Sequence, residues 1–248
     1  MIKNRLDIEL VKRGLVPTRS QAESYIKLGQ VTVDGVIQTK PGFYVRDDAN
    51  VRLTASEQYV SRAGLKLASV AKVLQIDFQN KIVLDVGSST GGFTDYSLQH
   101  GASQVLAVDV GTDQLHPSLR NDERISLYEK TDIRDFVPSI EPDIILIDVS
   151  FISLKEILPH LTKISTPSTQ VVAMLKPQFE AGPNATVRGV IKNDARRRQI
   201  LKDFEDWVKQ QWVIVSKRDS DVAGAKGNRE RFYILKLQAP SKIHRTRR

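Results

Sequence analysis

The stretch Leu84-Asp85-Val86-Gly87-Ser88-Ser89-Thr90-Gly91-Gly92-Phe93 constrains this chain more than any other. Ahead of it, Lys81-Ile82-Val83-Leu84 is a short β-branched run that reads as a buried strand. Behind it, Phe93-Thr94-Asp95-Tyr96-Ser97-Leu98 reads as the start of a helix. A strand that enters a helix through a turn rich in Gly and Ser opens a doubly wound α/β domain, and ligands bind at that edge. Gly87 lets backbone come close to a neighbour with no Cβ in the way, and Gly91-Gly92 permits a tight turn. Free N–H groups at the helix start favour a carboxylate or other negative group.

A second strand, Gln104-Val105-Leu106-Ala107-Val108-Asp109, ends in an acid about 20 residues further on, where such domains place a carboxylate on a ribose hydroxyl pair. The expected ligand is therefore a cofactor that contains a nucleoside. The loop departs from GxGxxG, because Ser88-Ser89-Thr90 follow Gly87 where a dinucleotide fold wants a second close glycine. That disfavours a pyrophosphate and favours S-adenosyl-L-methionine. A Gly-rich turn that merely packs a helix is the competing reading, and Asp109 weighs against it. The residues assigned to the cofactor here are Asp85, Gly87, Ser88, Ser89, Thr90, Gly91, Gly92, Phe93 and Asp109. A third strand, Ile125 to Tyr128, leads to an acidic turn with Asp132 and Ile133, which in this fold can reach the adenine.

Four further strands complete the pattern. Asp143-Ile144-Ile145-Leu146-Ile147-Asp148 is strongly apolar and ends in Asp148, which joins the cofactor set. Val171 to Leu175 ends at Lys176-Pro177. Trp212 to Val215 and Phe232 to Leu237 form an antiparallel pair that flanks Gly224 to Glu230, so Glu230 falls at the same edge. Between these strands, Arg197 to Val208 is a helix with Ile200, Leu201, Phe204 and Trp207 as its apolar stripe. Ahead of the first strand, Leu65, Leu67, Val70, Val73 and Leu74 predict a helix that covers the sheet. Lys66 lies inside that apolar pattern, either as a functional group or as a snorkelling surface lysine.

The N-terminal segment has a different rhythm. Leu6, Leu10, Val11 and Leu15 lie on one helical face, and Ser20-Gln21-Ala22-Glu23 has capping-box spacing for a second helix that ends at Gly29. Val31-Thr32-Val33-Asp34-Gly35-Val36-Ile37 is a hairpin signal, and Val51-Arg52-Leu53 reads as a further strand. The net charge of +8 points to an anionic partner, of which nucleic acid is the commonest. Lys3, Arg5, Lys12, Arg13, Arg19 and Lys27 are either a solvated helix face or phosphate contacts. The order of two helices and a small sheet, with Arg13-Gly14, Arg19-Ser20-Gln21-Ala22 and Ile26 to Gly35, resembles the αL RNA-binding domain. That module is shared by a small-subunit ribosomal protein, many pseudouridine synthases and several RNA-modifying enzymes. The expected organisation is residues 1–58 as this domain, 59–240 as the α/β domain and 241–248 as a basic tail.

Composition closes off other classes. There is no cysteine, so no disulfide framework and no thiolate metal site. His100, His116, His160 and His244 form no metal-ligand spacing, and no metal is expected. No signal-peptide core and no apolar run of membrane length is present, which sets the expected location in the cytoplasm.

Two lysines and two acids at one cofactor edge suit deprotonation of a weak acid such as a hydroxyl. A charge at the end of a buried strand is either active or paired. Asp85 to Asp95, Asp148 to Leu154, Lys176 to Gly182 and Gly227-Asn228-Arg229-Glu230 resemble the TlyA (hemolysin-A-like) family, over nearly the whole chain. Those proteins join an αL domain to an FtsJ-type methyltransferase domain of Rossmann-like class I fold. The resemblance implies S-adenosylmethionine-dependent 2′-O-methylation of ribosomal RNA within ribosomal subunits, with no membrane partner and a monomer favoured. It places a Lys-Asp-Lys-Glu tetrad on Lys66, Asp148, Lys176 and Glu230. Lys176 would act on the 2′-hydroxyl, Asp148 would orient it, and Lys66 and Glu230 would support substrate geometry. Arg5, Arg13, Arg19, Lys27 and Arg62 would contact RNA. The chain departs from the family at Ser88, Thr112-Asp113 and Asn193 to Arg197, and the last of these bears on the RNA target. Two rival readings are a membrane-lytic hemolysin and a ribosome-binding assembly factor without activity. No strongly amphipathic apolar helix supports the first, and the intact tetrad opposes the second.

Overall fold

A computed structural model describes residues 3–182, 189–224 and 226–238. The expected basic tail, 241–248, lies outside the described residues. The chain runs β1 (Lys3–Arg5), α1 (Leu6–Lys12), α2 (Arg19–Lys27), β2 (Val31–Val33), β3 (Val36–Ile37), β4 (Tyr44–Arg46), β5 (Val51–Leu53) and α3 (Arg62–Ala71). It continues β6 (Ile82–Val86), α4 (Gly92–Gln99), β7 (Gln104–Val108), β8 (Ile125–Tyr128), β9 (Ile144–Ile147) and α5 (Leu154–Ile164). It ends with β10 (Gln170–Leu175), α6 (Pro177–Glu180), α7 (Asp194–Val208), β11 (Trp212–Asp219) and β12 (Arg231–Leu237).

Seven strands form the central sheet in the order β11-β12-β10-β9-β6-β7-β8. The five from β10 to β8 are parallel, and β12 inserts antiparallel between β10 and β11. Period-two alternation sends each strand's side chains to two faces. In β9, Ile144 and Leu146 pack with α3 and α4, whereas Ile145 and Ile147 pack with α5 and α7. Strand order reverses between β6 and β9, so their carboxyl ends open the crevice where this topology binds ligands.

The N-terminal segment holds the expected hairpin. Asp34 and Gly35 have φ of 51° and 81°, the paired left-handed conformation of a type I′ turn between β2 and β3. Two expectations are corrected. The second helix is capped by Thr18, whose hydroxyl accepts from the Gln21 amide, rather than starting at Ser20. The same S/T-x-x-E/Q spacing occurs two residues earlier, and Pro17 stops the preceding chain there. The helix over the sheet ends at Ala71, which leaves Val73 59% exposed. Strands β1 and β4, each three residues long, pair with one another in a two-stranded sheet that the sequence pattern does not announce.

The N-terminal segment is not packed separately. A single apolar cluster takes in Tyr25, Ile26 and Val31 together with Tyr59, Leu65, Phe93 and Tyr96. Across the junction, Gln21 Nε2 donates to the Tyr59 carbonyl at 3.0 Å and the Val60 amide donates to Asp95 at 2.8 Å. A chain that begins at Tyr59 therefore keeps the seven-stranded sheet but melts at a lower temperature than the full chain, by roughly 2–4 °C for each kcal/mol of lost burial. Circular dichroism melts of the two proteins measure this, and equal midpoints would show that the shared cluster contributes nothing.

Candidate active site

The turn after β6 holds the site together. Gly87 has φ of +80°, and a Cβ there would sit 2.9 Å from the Asp148 carbonyl oxygen at the end of β9. Only glycine allows both the conformation and the approach. Asp109, at the end of β7, has both carboxylate oxygens oriented by backbone: Ser89 N–H donates to one at 2.8 Å and Gly111 N–H to the other at 2.7 Å.

Three adjoining cavities lie along this edge. The first, of about 390 Å³, is lined by Gly87, Ser89, Asp109, Asp132, Ile133 and Asp148 among others. The second, of about 140 Å³, is lined by Asp85, Ser88, Thr90, Phe93 and Asp148, and reaches Lys176. The third, of about 470 Å³, is lined by Arg62, Lys66, Lys176 and Glu230 with Phe151 and Phe179. Most of the residues expected from sequence thus meet at one edge. Gly91 and Gly92 do not line these cavities. Gly91 caps α4 at φ of +87°, and both glycines shape the turn.

The tetrad forms two buried ion pairs. Lys176 Nζ lies 2.6 Å from Asp148 Oδ1, and Lys66 Nζ lies 2.6 Å from Glu230 Oε2. Both lysine side chains are 9% exposed, which settles Lys66 as a buried group rather than a snorkelling one. Lys176 also donates to Ser150 Oγ at 2.7 Å. Asp85 is wholly buried, with one oxygen accepting from Thr94 Oγ1 at 2.7 Å and the other without a partner among the described residues. Burial pushes its carboxyl up to about 7; the Thr94 hydroxyl opposes this and Asp148 adds to it. Asp132 behaves oppositely, because hydrogen bonds from Arg134 hold its carboxyl below the usual range.

The expected RNA contacts divide. Arg62 lines the third cavity. Arg5, Arg13, Arg19 and Lys27 sit on the N-terminal elements instead. Wholly buried Asp7 accepts from Arg5 at 3.0 and 2.9 Å and from Arg19 at 2.8 Å. Burial would raise the Asp7 carboxyl, but these guanidinium bonds outweigh it and hold the group below its ordinary value. Arg13 is bound to Glu9 and to the carbonyls of Asp47 and Ala49. Lys27 is exposed.

Ser150, Phe151 and Phe179 are lining residues that the sequence reading did not single out. Phe151 is 91% exposed, has φ of +67°, and stands 5.2 Å ring to ring from Phe179. The signal was an aromatic three residues beyond a buried strand's terminal acid, a place where core packing has no use for it.

Residues 59–237 match the model of the FtsJ-like methyltransferase family, and residues 4–51 match that of the S4 domain. The chain is 37% identical over 241 residues to a Mycobacterium tuberculosis protein named 16S/23S rRNA (cytidine-2′-O)-methyltransferase TlyA, covering 94% of this chain and 90% of the relative. It is 38% identical over 232 residues to Hemolysin A of Brachyspira hyodysenteriae, covering 91% and 97%. A solved Streptococcus thermophilus protein whose name includes hemolysin superposes with a TM-score of 0.70 at 38% identity, over 96% of this chain and 90% of that one.

The buried carboxyl at Asp85 makes a testable demand. Its folded value of about 7 lies above the ordinary 3.8, so between those limits the folded chain holds a proton that the unfolded chain has lost. Stability of the native protein then falls as pH rises through that window, on the order of 1.4 kcal/mol per pH unit. Asp85→Asn cannot ionise, so its stability relative to the native protein rises with pH up to about 7 and levels off above it. Urea unfolding of both proteins from pH 5 to 8 measures the difference, and a constant difference would reject the assignment.

Proposed function

The chain belongs to the TlyA (hemolysin A) family, with an FtsJ-like methyltransferase domain behind an S4 domain, and from that membership we propose that it transfers a methyl group from S-adenosyl-L-methionine to a ribose 2′-hydroxyl of ribosomal RNA. The observation that carries this reading is Lys176, a buried amine between Asp148 and Ser150, shared by the cavity at the glycine turn and the cavity beside Arg62 and Phe151.

The residues present fit the cofactor. Asp109, its carboxylate aimed by two backbone N–H groups, would hold the ribose hydroxyls. Asp132 and Ile133 would flank the adenine at the far end of the first cavity. The unpartnered Asp85 oxygen and Ser88 hydroxyl in the second cavity suit the cationic amino-acid end. When bound, S-adenosylmethionine supplies a methyl group activated by a positively charged sulfur.

The chain's own residues do the rest. Lys176 takes the proton from the 2′-hydroxyl, whose oxygen keeps the electron pair that bonds to the methyl carbon. Asp148 holds the amine in place at 2.6 Å. Lys66 and Glu230 form a matched pair on the substrate side and add no net charge to the cavity. Much of the rate then comes from positioning, because an in-line approach is the main requirement. The exposed Phe151 ring offers a face on which an unstacked base can lie. On the N-terminal side, Arg5 and Arg19 share one acid, remain 38% and 54% exposed, and leave a net positive charge for phosphates. Among the described residues no helix is long and apolar enough to cross a membrane.

Nucleoside mass spectrometry of rRNA from cells with and without the gene tests the reading, which fails if no 2′-O-methylated nucleoside disappears. Two variants separate the roles within the site. Lys176→Ala keeps its cofactor affinity and loses roughly 10²–10⁴-fold in single-turnover methylation. Asp109→Ala weakens cofactor binding by about 10–100-fold, the worth of a charged hydrogen bond. Calorimetry and methyl incorporation into ribosomal subunits measure both. A Lys176→Ala protein that methylates at the native rate, or an Asp109→Ala protein with native affinity, would reject the corresponding role.

A further inference from the structure

Ser150 follows Asp148 by two positions, on the turn between β9 and α5. Among the described residues it alone lines all three cavities. Its hydroxyl oxygen accepts from Lys176 Nζ at 2.7 Å, while Asp148 Oδ1 lies 2.6 Å from the same nitrogen. An amine nitrogen has four tetrahedral directions. In Lys176 the chain carbon takes one. The Ser150 hydroxyl fixes one N–H bond, and with the Cε–Nζ axis set, one fixed N–H determines the other two directions. Asp148 lies at ion-pair distance but outside hydrogen-bond geometry, so its charge alone would leave the amine free to turn about Cε–Nζ.

We propose that Ser150 is a positioning residue which, by fixing one N–H, aims a remaining valence of Lys176 Nζ at the substrate hydroxyl. This rests on the reading of Lys176 as the group that takes the 2′-hydroxyl proton. In the neutral amine the aimed valence is the lone pair. The proton moves along it to Nζ, the oxygen keeps its electron pair and bonds to the methyl carbon, and the carbon–sulfur pair returns to sulfur. Lys66 provides the contrast. Its acid partner Glu230 is likewise an ion-pair contact outside hydrogen-bond geometry, and no hydroxyl among the described residues accepts from its amine to fix an N–H. An aimed lysine and an unaimed one therefore face the same cavity, and the aimed one stands where the cavities join. The turn itself is pinned, since the Asp148 amide donates to the Val86 carbonyl at 3.0 Å.

The charged groups that share Lys176's cavities are Asp85 and Asp148 on one side and Arg62, Lys66, Lys226 and Glu230 on the other. Substitution at Ser150 changes none of them. The defect in Ser150→Ala is thus one of aim, the same at every pH. Single-turnover methylation of ribosomal subunits, followed across pH for the native protein, Ser150→Ala, Ser150→Thr and Lys176→Ala, tests this. Ser150 is exposed, so the alanine variant retains its melting temperature and cofactor affinity. Its rate falls about 10–100-fold, the usual cost of small misplacement, with no displacement of the pH profile. Ser150→Thr keeps the hydroxyl and stays within about threefold of native. In the cofactor-free protein, the Lys176 ammonium gives a resolved nitrogen–proton correlation by NMR, which broadens in Ser150→Ala as the amine rotates. An alanine variant at native rate overturns the proposal, as does a loss that disappears at high pH or a threonine variant as slow as alanine. If Lys176→Ala is inactive and Ser150→Ala is not, only the role of Ser150 falls. A native protein that transfers no methyl group overturns the methyltransferase reading and this proposal with it.

Discussion

The close approach of two strand ends sets the geometry on which the site depends. The Gly87 backbone lies so near the Asp148 carbonyl that a single added carbon would sit 2.9 Å from that oxygen. Parallel pairing of β6 with β9 creates this contact, in a register that matches Val86 with Ile147. The crevice, the turn into α4 and the placement of Asp148 all follow from it. Any side chain at position 87 would push the two strand ends apart. It would also move Asp148 away from Lys176, which approaches from the neighbouring strand β10.

The two buried ion pairs are poor candidates for a stabilising role. Withdrawing two charges from water costs about as much as their attraction returns, so well-packed apolar residues would serve stability as well or better. Removal of one partner is another matter, at about 3–5 kcal/mol, because the other charge is left buried and alone. The sheet thus carries charged strand tips at an energetic cost that packing does not explain. The role proposed for Lys176 accounts for it, since methyl transfer to a weakly acidic hydroxyl would need a proton acceptor shielded from water and held in place. Asp85 fits the same account. Its carboxyl is buried with one oxygen unmatched among the described residues, at the cavity proposed for the cationic end of the cofactor.

Much of this was legible in the sequence, for local reasons. β-Branched runs ending in Asp109, Asp148 and Lys176 reveal both the strands and the edge at which their last residues meet. The Asp34-Gly35 hairpin is legible because few dipeptides tolerate two successive positive φ values. What escaped depends on tertiary contact. Strands β1 and β4 are too short for a period and exist because they pair with one another. Arg5, Arg13 and Arg19 read as either a solvated helix face or phosphate contacts, yet each is tied to a buried acid on α1, which no spacing rule reveals. Ser150 and Phe151 belong to a turn whose geometry includes a positive φ at a bulky residue, a conformation that propensity argues against.

Helix α3 joins the S4 segment to the sheet edge that carries the candidate site. Its N-cap Ser61 follows Tyr59, whose carbonyl is bound by Gln21 of α2 and whose ring lies 5.3 Å from Tyr96 of α4. One turn further on, Gly64 lies so close to the start of α4 that an added Cβ would stand 3.0 Å from the Gly92 carbonyl. Two residues later comes Lys66, paired with Glu230 at the third cavity. A single ten-residue helix therefore carries one of the two buried lysines and contacts both the S4 segment and the helix that follows the glycine turn. On the proposed reading, RNA held on the arginines of α1 and α2 would be referenced, through packed backbone rather than a flexible tether, to the position proposed for Lys176 and the substrate hydroxyl.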